Sequence, residues 1–242
     1  IQRVLKVPGV EAIAFSDQDD VWYPHKLAVL VEKLQNTDPL SLVHCNMHVL
    51  EGAASLPLDP TRLSAVWETE ERGIAQSQPR HLLVRNIVTG ASLLMDAELA
   101  RRFPTIPDAV EYHDHWYALI ASCHGGIHPI DQPLSAYRQH GNNVVGISRF
   151  IGIFRLPQGI TLRALAHKSQ KGWARSFALA QALRTAKLPL RPLTSAVFGD
   201  FPDFGALLLG MGLGHLWKDR PLARAYLARA FGKFLSQGFG KV

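Results

Sequence analysis

The segment that most constrains the fold is a short apolar run followed at once by clustered acids. After Ala12-Ile13-Ala14-Phe15 come Asp17, Asp19 and Asp20, three carboxylates within four residues. Such a run predicts a strand of an α/β sheet that delivers side chains at its C-terminal edge, where ligands bind. Clustered carboxylates repel one another unless a cation neutralises them. The segment therefore predicts a site for Mg²⁺ or Mn²⁺, with an acidic loop or a helix cap at Asp20 as the alternative.

Three further segments complete a pattern. Residues 16–27 (SDQDDVWYPHKL) resemble the aspartate motif of GT-A, family 2 glycosyltransferases, particularly the rhamnosyltransferase-like enzymes that build bacterial surface polysaccharides. Residues 86–92 (NIVTGAS) resemble the acceptor-side strand, and residues 111–116 (EYHDHW) resemble the site of the catalytic base. Residues 133–143 (PLSAYRQHGNN) are similar to the closing segment of the family. The resemblance covers roughly residues 11 to 149.

The resemblance also implies the fold and the domain organisation. We expect an α/β fold with a partial GT-A-like mixed sheet flanked by helices in residues 1–149, and a basic helical region in residues 150–242. In the family, the strands that hold the nucleotide base precede the aspartate motif, so we expect this chain to be the C-terminal part of such a domain. Residues 1–150 hold 12 Lys+Arg against 17 Asp+Glu, and residues 151–242 hold 14 against 3. This asymmetry predicts two regions with different partners.

The donor side of the site follows from the resemblance. It implies that Asp19 is a ligand of Mg²⁺ or Mn²⁺ and that Asp20 either ligates the ion or caps the next helix. Asp17 would contact the ribose or the water shell of the metal. Arg138 and His140 would reach the diphosphate, for which the donor fork of an arginine is suited. A pairing of Arg138 with a core carboxylate is the alternative.

The acceptor side carries the base. The resemblance implies that Asp114 takes the proton of the acceptor hydroxyl, a task for a carboxylate within hydrogen-bond reach; helix capping is its alternative. Gly90, His113 and Trp116 are assigned to the acceptor side. Gly90 would permit a close approach, or else form an ordinary strand bulge. His113 could instead be a metal ligand or a surface residue.

The predicted function is an inverting, metal-dependent glycosyltransferase, or its C-terminal catalytic part. It would move a sugar from a nucleotide-sugar donor to a cell-surface glycan or lipid-linked acceptor. One alternative is a divalent-metal-dependent hydrolase that uses His44, His48, His113, Asp114 and His115, and another is an inactive scaffold derived from a transferase. Convergence of His44 and His113 on one position would favour the hydrolase, whereas Asp17 and Asp19 facing Asp114 would favour the transferase.

Location and further partners are read from composition. The two cysteines lack a metal-ligand spacing and predict a reducing, cytoplasmic compartment. Residues 221–235 form an apolar stripe beside basic side chains. This stripe predicts either a contact with the inner face of the membrane or a helix packed on its own domain with a solvated basic face. No nucleic acid partner is expected, because no recognised fold motif accompanies the basic charge.

Periodicity predicts the individual elements. Helices are expected over 24–34, 80–84, 96–102, 115–122 and 161–186, and strands over 12–15, 41–50, 87–95 and 125–130. Residues 133–138 are expected to complete the core. In the first of these helices, Leu27, Leu30, Val31 and Leu34 are expected to face the core, with Lys26 outside.

Overall fold

The fold is described from a computed structural model of the chain, which describes residues 1–51, 59–66, 77–108, 110–139, 162–188, 226 and 228–229. The chain forms two compact units. The first comprises Ile1–Leu82, Asn86–Ile106 and Tyr112–Ser148, and the second Leu83–Arg85, Pro107–Glu111 and Arg149–Val242. The second unit is not one continuous stretch of chain, because the short segments Leu83–Arg85 and Pro107–Glu111 belong to it.

The first unit is built on a mixed five-stranded sheet. Its strands are β1 (Ala12–Ala14), β2 (Val21–Trp22), β3 (Ser41–Glu51), β4 (Leu93–Asp96) and β5 (Gly126–Gln139), in the spatial order β1-β4-β3-β5-β2. β3 and β5 pair in parallel, and the other neighbours are antiparallel. Most of β3 is buried on both faces, which is typical of a central strand. The expected mixed α/β architecture is confirmed.

Helices flank this sheet, and the predicted ones are confirmed with small shifts of their ends. In the first unit they are α1 (Lys26–Gln35), α2 (Pro79–Leu82), α3 (Ala97–Arg102) and α4 (His113–Cys123). The second unit contains α5 (Leu162–Thr185). α3 begins where the carboxylate of Asp96 accepts the amide of Glu98 at 2.9 Å, as expected for an N-cap. α1 packs on the sheet through one cluster of buried side chains: Leu30, Val43, Cys45, Leu94 and Leu134.

The inward face of α1 differs in part from the prediction: Leu30 and Leu34 pack on the core as expected, but other positions do not. Lys26 is only 1% exposed, whereas Leu27 and Val31 are 45% and 38% exposed. The ammonium of Lys26 donates to the carbonyl oxygen of Ala91 at 2.6 Å and lies 3.9 Å from the centroid of the Trp22 ring. These two contacts replace water around the charge, while the aliphatic stem fills apolar space. The helix is therefore turned so that its first residue points inward.

Two of the predicted strands also differ from the structure. The strand expected over 125–130 continues through residues 133–138 as one strand, β5, which contains Pro129 and Pro133. Pro133 lies opposite Asn46, where the register between β3 and β5 shifts, and such a bulge tolerates a residue without an N–H donor. The strand expected over 87–95 begins only at Leu93, because Gly90–Ser92 form a 3₁₀ turn.

In the second unit, the described residues comprise α5 and parts of the segment that follows. Tyr226 is fully buried. Nε of Arg229 donates to the hydroxyl of Ser176 at 3.1 Å, and Nη2 donates to the carbonyl oxygen of Val84 at 3.0 Å. Tyr226 and Arg229 thus pack within the second unit, whereas most of the segment 221–235 lies outside the described residues. Across the described part of the chain, no helix combines the length and apolarity needed to cross a membrane.

Gly125 provides a test of the packing around β5. A Cβ at this residue would overlap the carbonyl oxygen of Pro39, which cannot move without shifting the chain before β3. We expect Gly125→Ala to lower the free energy of unfolding by about 1–3 kcal/mol in urea denaturation. Gly9→Ala is the control: its φ of +75° is strained for alanine, but a Cβ there meets nothing within 4 Å, so a loss of only about 1 kcal/mol is expected. A smaller loss at Gly125 than at Gly9 would contradict the steric argument.

Candidate functional site

The candidate site lies at the edge of the sheet where β1 ends. Ala14 pairs with Leu94 in the antiparallel neighbour β4, so the turn that precedes β4 reaches the same edge. The ring of Phe15, the next residue after β1, contacts the ring of His113 at the start of α4, with 4.4 Å between the centroids. The acidic loop 17–20 and the first turn of α4 therefore both begin at this edge.

The acidic loop is held against the end of β5. The backbone amide of Arg138 donates to Oδ1 of Asp20 at 3.1 Å, and Nε of Arg138 donates to the carbonyl oxygen of Asp19 at 3.1 Å. The structure thus brings the predicted diphosphate-binding arginine to the two predicted metal ligands. Asp17 lies on an exposed part of the loop, and His140 lies outside the described residues.

Asp20 has a free, buried oxygen. The residue at the N-cap of α1 is His25, so Asp20 does not cap that helix. Its Oδ2 is buried and has no hydrogen-bond partner among the described residues. Burial raises the pKa of Asp20 to about 6, and repulsion from Asp17 and Asp19 acts in the same direction. A buried carboxylate oxygen without a partner is costly, and a bound cation would offset that cost.

These residues fit a divalent ion that takes part of its coordination from a substrate. Among the described residues, no group of three or more His, Cys, Asp or Glu side chains is arranged to hold a metal. Mg²⁺, however, is commonly bound by one or two carboxylates together with substrate phosphates. Asp20, with its unpartnered Oδ2, and the neighbouring Asp19 are the residues that would hold such an ion.

Lys26 is a charged residue of this region whose role was not predicted. Burial lowers its pKa to about 8, although attraction to Asp20 and Asp17 opposes the shift. Its bond to Ala91 connects the helix that follows the acidic loop with the turn before β4. The sequence signal is the aromatic residue Trp22 four positions earlier, which can stack on a cation.

Asp114 accepts three hydrogen bonds in the first turn of α4. Nδ2 of Asn86 and the amide of His115 donate to Oδ1 at 3.1 and 2.6 Å, and the amide of Gly90 donates to Oδ2 at 2.9 Å. The N-cap of α4 is Tyr112, and two of the three donors lie outside the helix, so capping explains only one of these bonds. Each carboxylate oxygen can accept about two hydrogen bonds. Within the described part of the chain, Oδ1 is therefore filled, whereas Oδ2 keeps one lone pair.

The electrostatics of Asp114 suit a proton acceptor. Burial raises the pKa of its carboxyl group, while the charge of His113 and the three hydrogen bonds lower it. The positive end of the α4 dipole also favours the ionised form. Asp114 therefore combines a partly open oxygen with a pKa above the ordinary aspartate value, the two properties that a general base requires at neutral pH.

Gly90 and His113 lie beside this open oxygen. A Cβ at Gly90 would lie 3.0 Å from Nε2 of His113 and 3.6 Å from Oδ2 of Asp114. The missing side chain therefore keeps space next to both groups, in a 3₁₀ turn rather than in a strand bulge. Trp116 is 2% exposed; its position favours a packing role, and its contact with an acceptor stays a prediction.

The histidines of the hydrolase alternative occupy separate environments. His44 is fully buried on β3. Nδ1 of His48 shares a hydrogen bond of 2.8 Å with the hydroxyl of Tyr23, and Nε2 of His115 bonds to the carbonyl oxygen of Leu82. His113, in contrast, contacts Phe15. No metal-ligand set built from these histidines is found in the described part of the chain.

No family model matches the chain, and a search of curated proteins finds no match. The function is therefore inferred from the chemistry of the site and from the resemblance of its sequence motifs.

Asp20 gives a pH-dependent prediction. We expect Asp20→Asn to raise the free energy of unfolding of the metal-free protein by about 1 kcal/mol or more near neutral pH. The amide oxygen can still accept the Arg138 amide, while a charge that is costly to bury is removed. Because the folded-state pKa of about 6 exceeds the reference value of 3.8, the contribution of Asp20 to the wild-type free energy of unfolding should fall as the pH rises from about 4 to 6.

The measurement is urea unfolding of both proteins across this pH range without divalent ions. The difference between their free energies of unfolding should increase from about pH 4 to about pH 6 and stay constant at higher pH. A variant that is less stable than the wild type at neutral pH would show that the Asp20 carboxylate is stabilised by its surroundings, contrary to this prediction.

Proposed function

We propose that this chain carries the catalytic part of an inverting, metal-dependent glycosyltransferase of the GT-A type, similar to family 2 enzymes. It would transfer a sugar from a nucleotide-sugar donor to a cell-surface glycan or a lipid-linked acceptor. Such an acceptor fits an enzyme that works in the cytoplasm at the inner face of the membrane.

One observation carries the proposal. The acidic loop and the hydrogen-bonded carboxylate of Asp114 flank the same edge of the sheet, joined through the contact of Phe15 with His113. Sugar transfer needs these two functions side by side, because one group must stabilise the departing diphosphate while another takes the proton of the attacking hydroxyl. The hydrolase alternative lacks comparable support, since its histidines are dispersed among buried contacts.

The residues divide the reaction between them. Oδ2 of Asp114 takes the proton of the acceptor hydroxyl as the hydroxyl oxygen bonds to the anomeric carbon. The bond from that carbon to the diphosphate breaks on the opposite face, and its electron pair leaves with the diphosphate, so the configuration inverts. Asp19 and Asp20 would hold a divalent ion, which when bound neutralises charge on the diphosphate. Arg138, held beside the loop, would orient the same group.

Asp114→Asn tests the base. The amide keeps the shape of the side chain but cannot take up the proton, so transfer should fall about 10²–10⁴-fold while donor binding stays within a few-fold. The measurement is release of nucleoside diphosphate from a panel of nucleotide sugars with a glycan or lipid-linked acceptor. Glu98→Gln is the control, because Glu98 is also an acid in the first turn of a helix but forms exposed ion pairs. Equal rates for wild type and Asp114→Asn would remove Asp114 from the reaction.

Asp19→Ala tests the metal site. Loss of one of the two protein carboxylates should abolish Mn²⁺-dependent donor turnover. It should also weaken Mn²⁺ binding at least about tenfold. Calorimetric titration with Mn²⁺ and nucleoside diphosphate together gives the affinity. Asp38→Ala serves as the control, an acid in the turn before β3 and outside the acidic loop. Unchanged metal affinity with unchanged turnover would assign the acidic loop to a structural role and favour the inactive-scaffold alternative.

A further inference from the structure

Asn86 makes a pair of hydrogen bonds that fix its side chain from both ends. Its Oδ1 accepts the amide of Val88 at 3.0 Å, and its Nδ2 donates to Oδ1 of Asp114 at 3.1 Å. Because a backbone N–H can only donate, the end of the amide that faces Val88 must be the oxygen. The NH₂ group is then directed at the carboxylate, and a flipped amide would lose both bonds.

The geometry points to Asn86 as the positioning residue of the base, which occupies Oδ1 of Asp114 so that Oδ2 is presented to the acceptor. This inference rests on the proposed role of Asp114 in sugar transfer. With Oδ1 filled by Asn86 and the amide of His115, the lone pair left for a proton is on Oδ2, beside the space at Gly90. Without Asn86, Oδ1 would regain a lone pair, so that a proton could bind to either oxygen. The carboxylate would also be freer to rotate.

The groups that face Asp114 from each side define what a change at Asn86 should do. The charge of His113 acts from the same helix, and the segment 86–90 contributes two neutral donors, the side chain of Asn86 and the amide of Gly90. The bond from Asn86 lowers the pKa of Asp114 against the effect of burial. Removal of that bond should therefore raise the pKa, whereas a contact that only braces the loop would leave it unchanged.

Two variants separate these possibilities. Asn86→Ala removes the donor and the acceptor together. Asn86→Asp keeps an oxygen for the Val88 amide, so the turn is retained, but it places a second carboxyl group against Asp114. Two carboxyl groups at hydrogen-bond distance titrate as a pair, with one pKa strongly raised. Asn36→Ala is the control, because Asn36 also donates a side-chain hydrogen bond, to the carbonyl oxygen of Glu32 at the end of α1.

The experiment follows the carboxyl carbon of Asp114 by NMR titration and the pH dependence of kcat/KM for transfer. Asn86→Ala should raise the pKa of Asp114 by about one unit and shift the acid limb of the pH profile equally. It should lower kcat about tenfold with little change in the KM for the donor. Asn86→Asp should shift the pKa further, and Asn36→Ala should match the wild type in both measurements.

An unchanged titration of Asp114 in folded Asn86→Asp would overturn the inference, and so would equal shifts in Asn86→Ala and Asn36→Ala. The NMR arm needs no substrate, so it decides the positioning role even if the wild type transfers no sugar. In that case the proposed function fails, while the link between Asn86 and Asp114 is judged separately by the titration.

Discussion

The first unit must hold three carboxylates of one short loop close together, and the contacts that achieve this organise the rest of the site. Asp17, Asp19 and Asp20 repel one another, and burial adds to the cost at Asp20. β5 contributes the amide and the guanidinium of Arg138, and Lys26 contributes a buried ammonium. That ammonium also donates to the carbonyl oxygen of Ala91. Lys26, which compensates the charge of the acidic loop, therefore connects the loop to the turn whose Gly90 amide donates to Asp114.

Asp20 and Asp114 are both half-buried carboxyl groups, yet the number of donors around them differs. Asp114 receives three hydrogen bonds and faces His113, which leaves one lone pair with a defined direction. Among the described residues, Asp20 accepts one hydrogen bond, from the Arg138 amide, and its Oδ2 has no partner. A single remaining lone pair suits the transfer of one proton, whereas a bare oxygen next to other acids suits a cation. Environment rather than residue type thus distinguishes the two proposed roles, as is common where two carboxyl groups serve one reaction.

Local sequence patterns predicted most of the elements and several of the residues at the site, but they could not predict contacts made over long separations. Periodicity located α1, α3, α4 and β3, because each buries an apolar face. It assigned Lys26 to solvent because hydropathy cannot foresee a carbonyl oxygen 65 residues away. Asn86 stood inside a recognised motif, yet its partner Asp114 is 28 residues distant. It is the antiparallel pairing of β1 with β4 that brings the end of β1 and the turn before β4 to one edge of the sheet.

The second unit shows why a count of basic residues is a poor guide to a surface. Burial lowers the pKa of Arg229, but an arginine remains charged in proteins, so its guanidinium must be satisfied inside. The hydroxyl of Ser176 and the carbonyl oxygen of Val84 do this, and a Cβ at Gly172 would overlap the group. α5 thus has a glycine, Gly172, at the point where the guanidinium of Arg229 packs against it. The positive charge of Arg229, one of the basic residues of 151–242, is therefore bound by groups within the second unit.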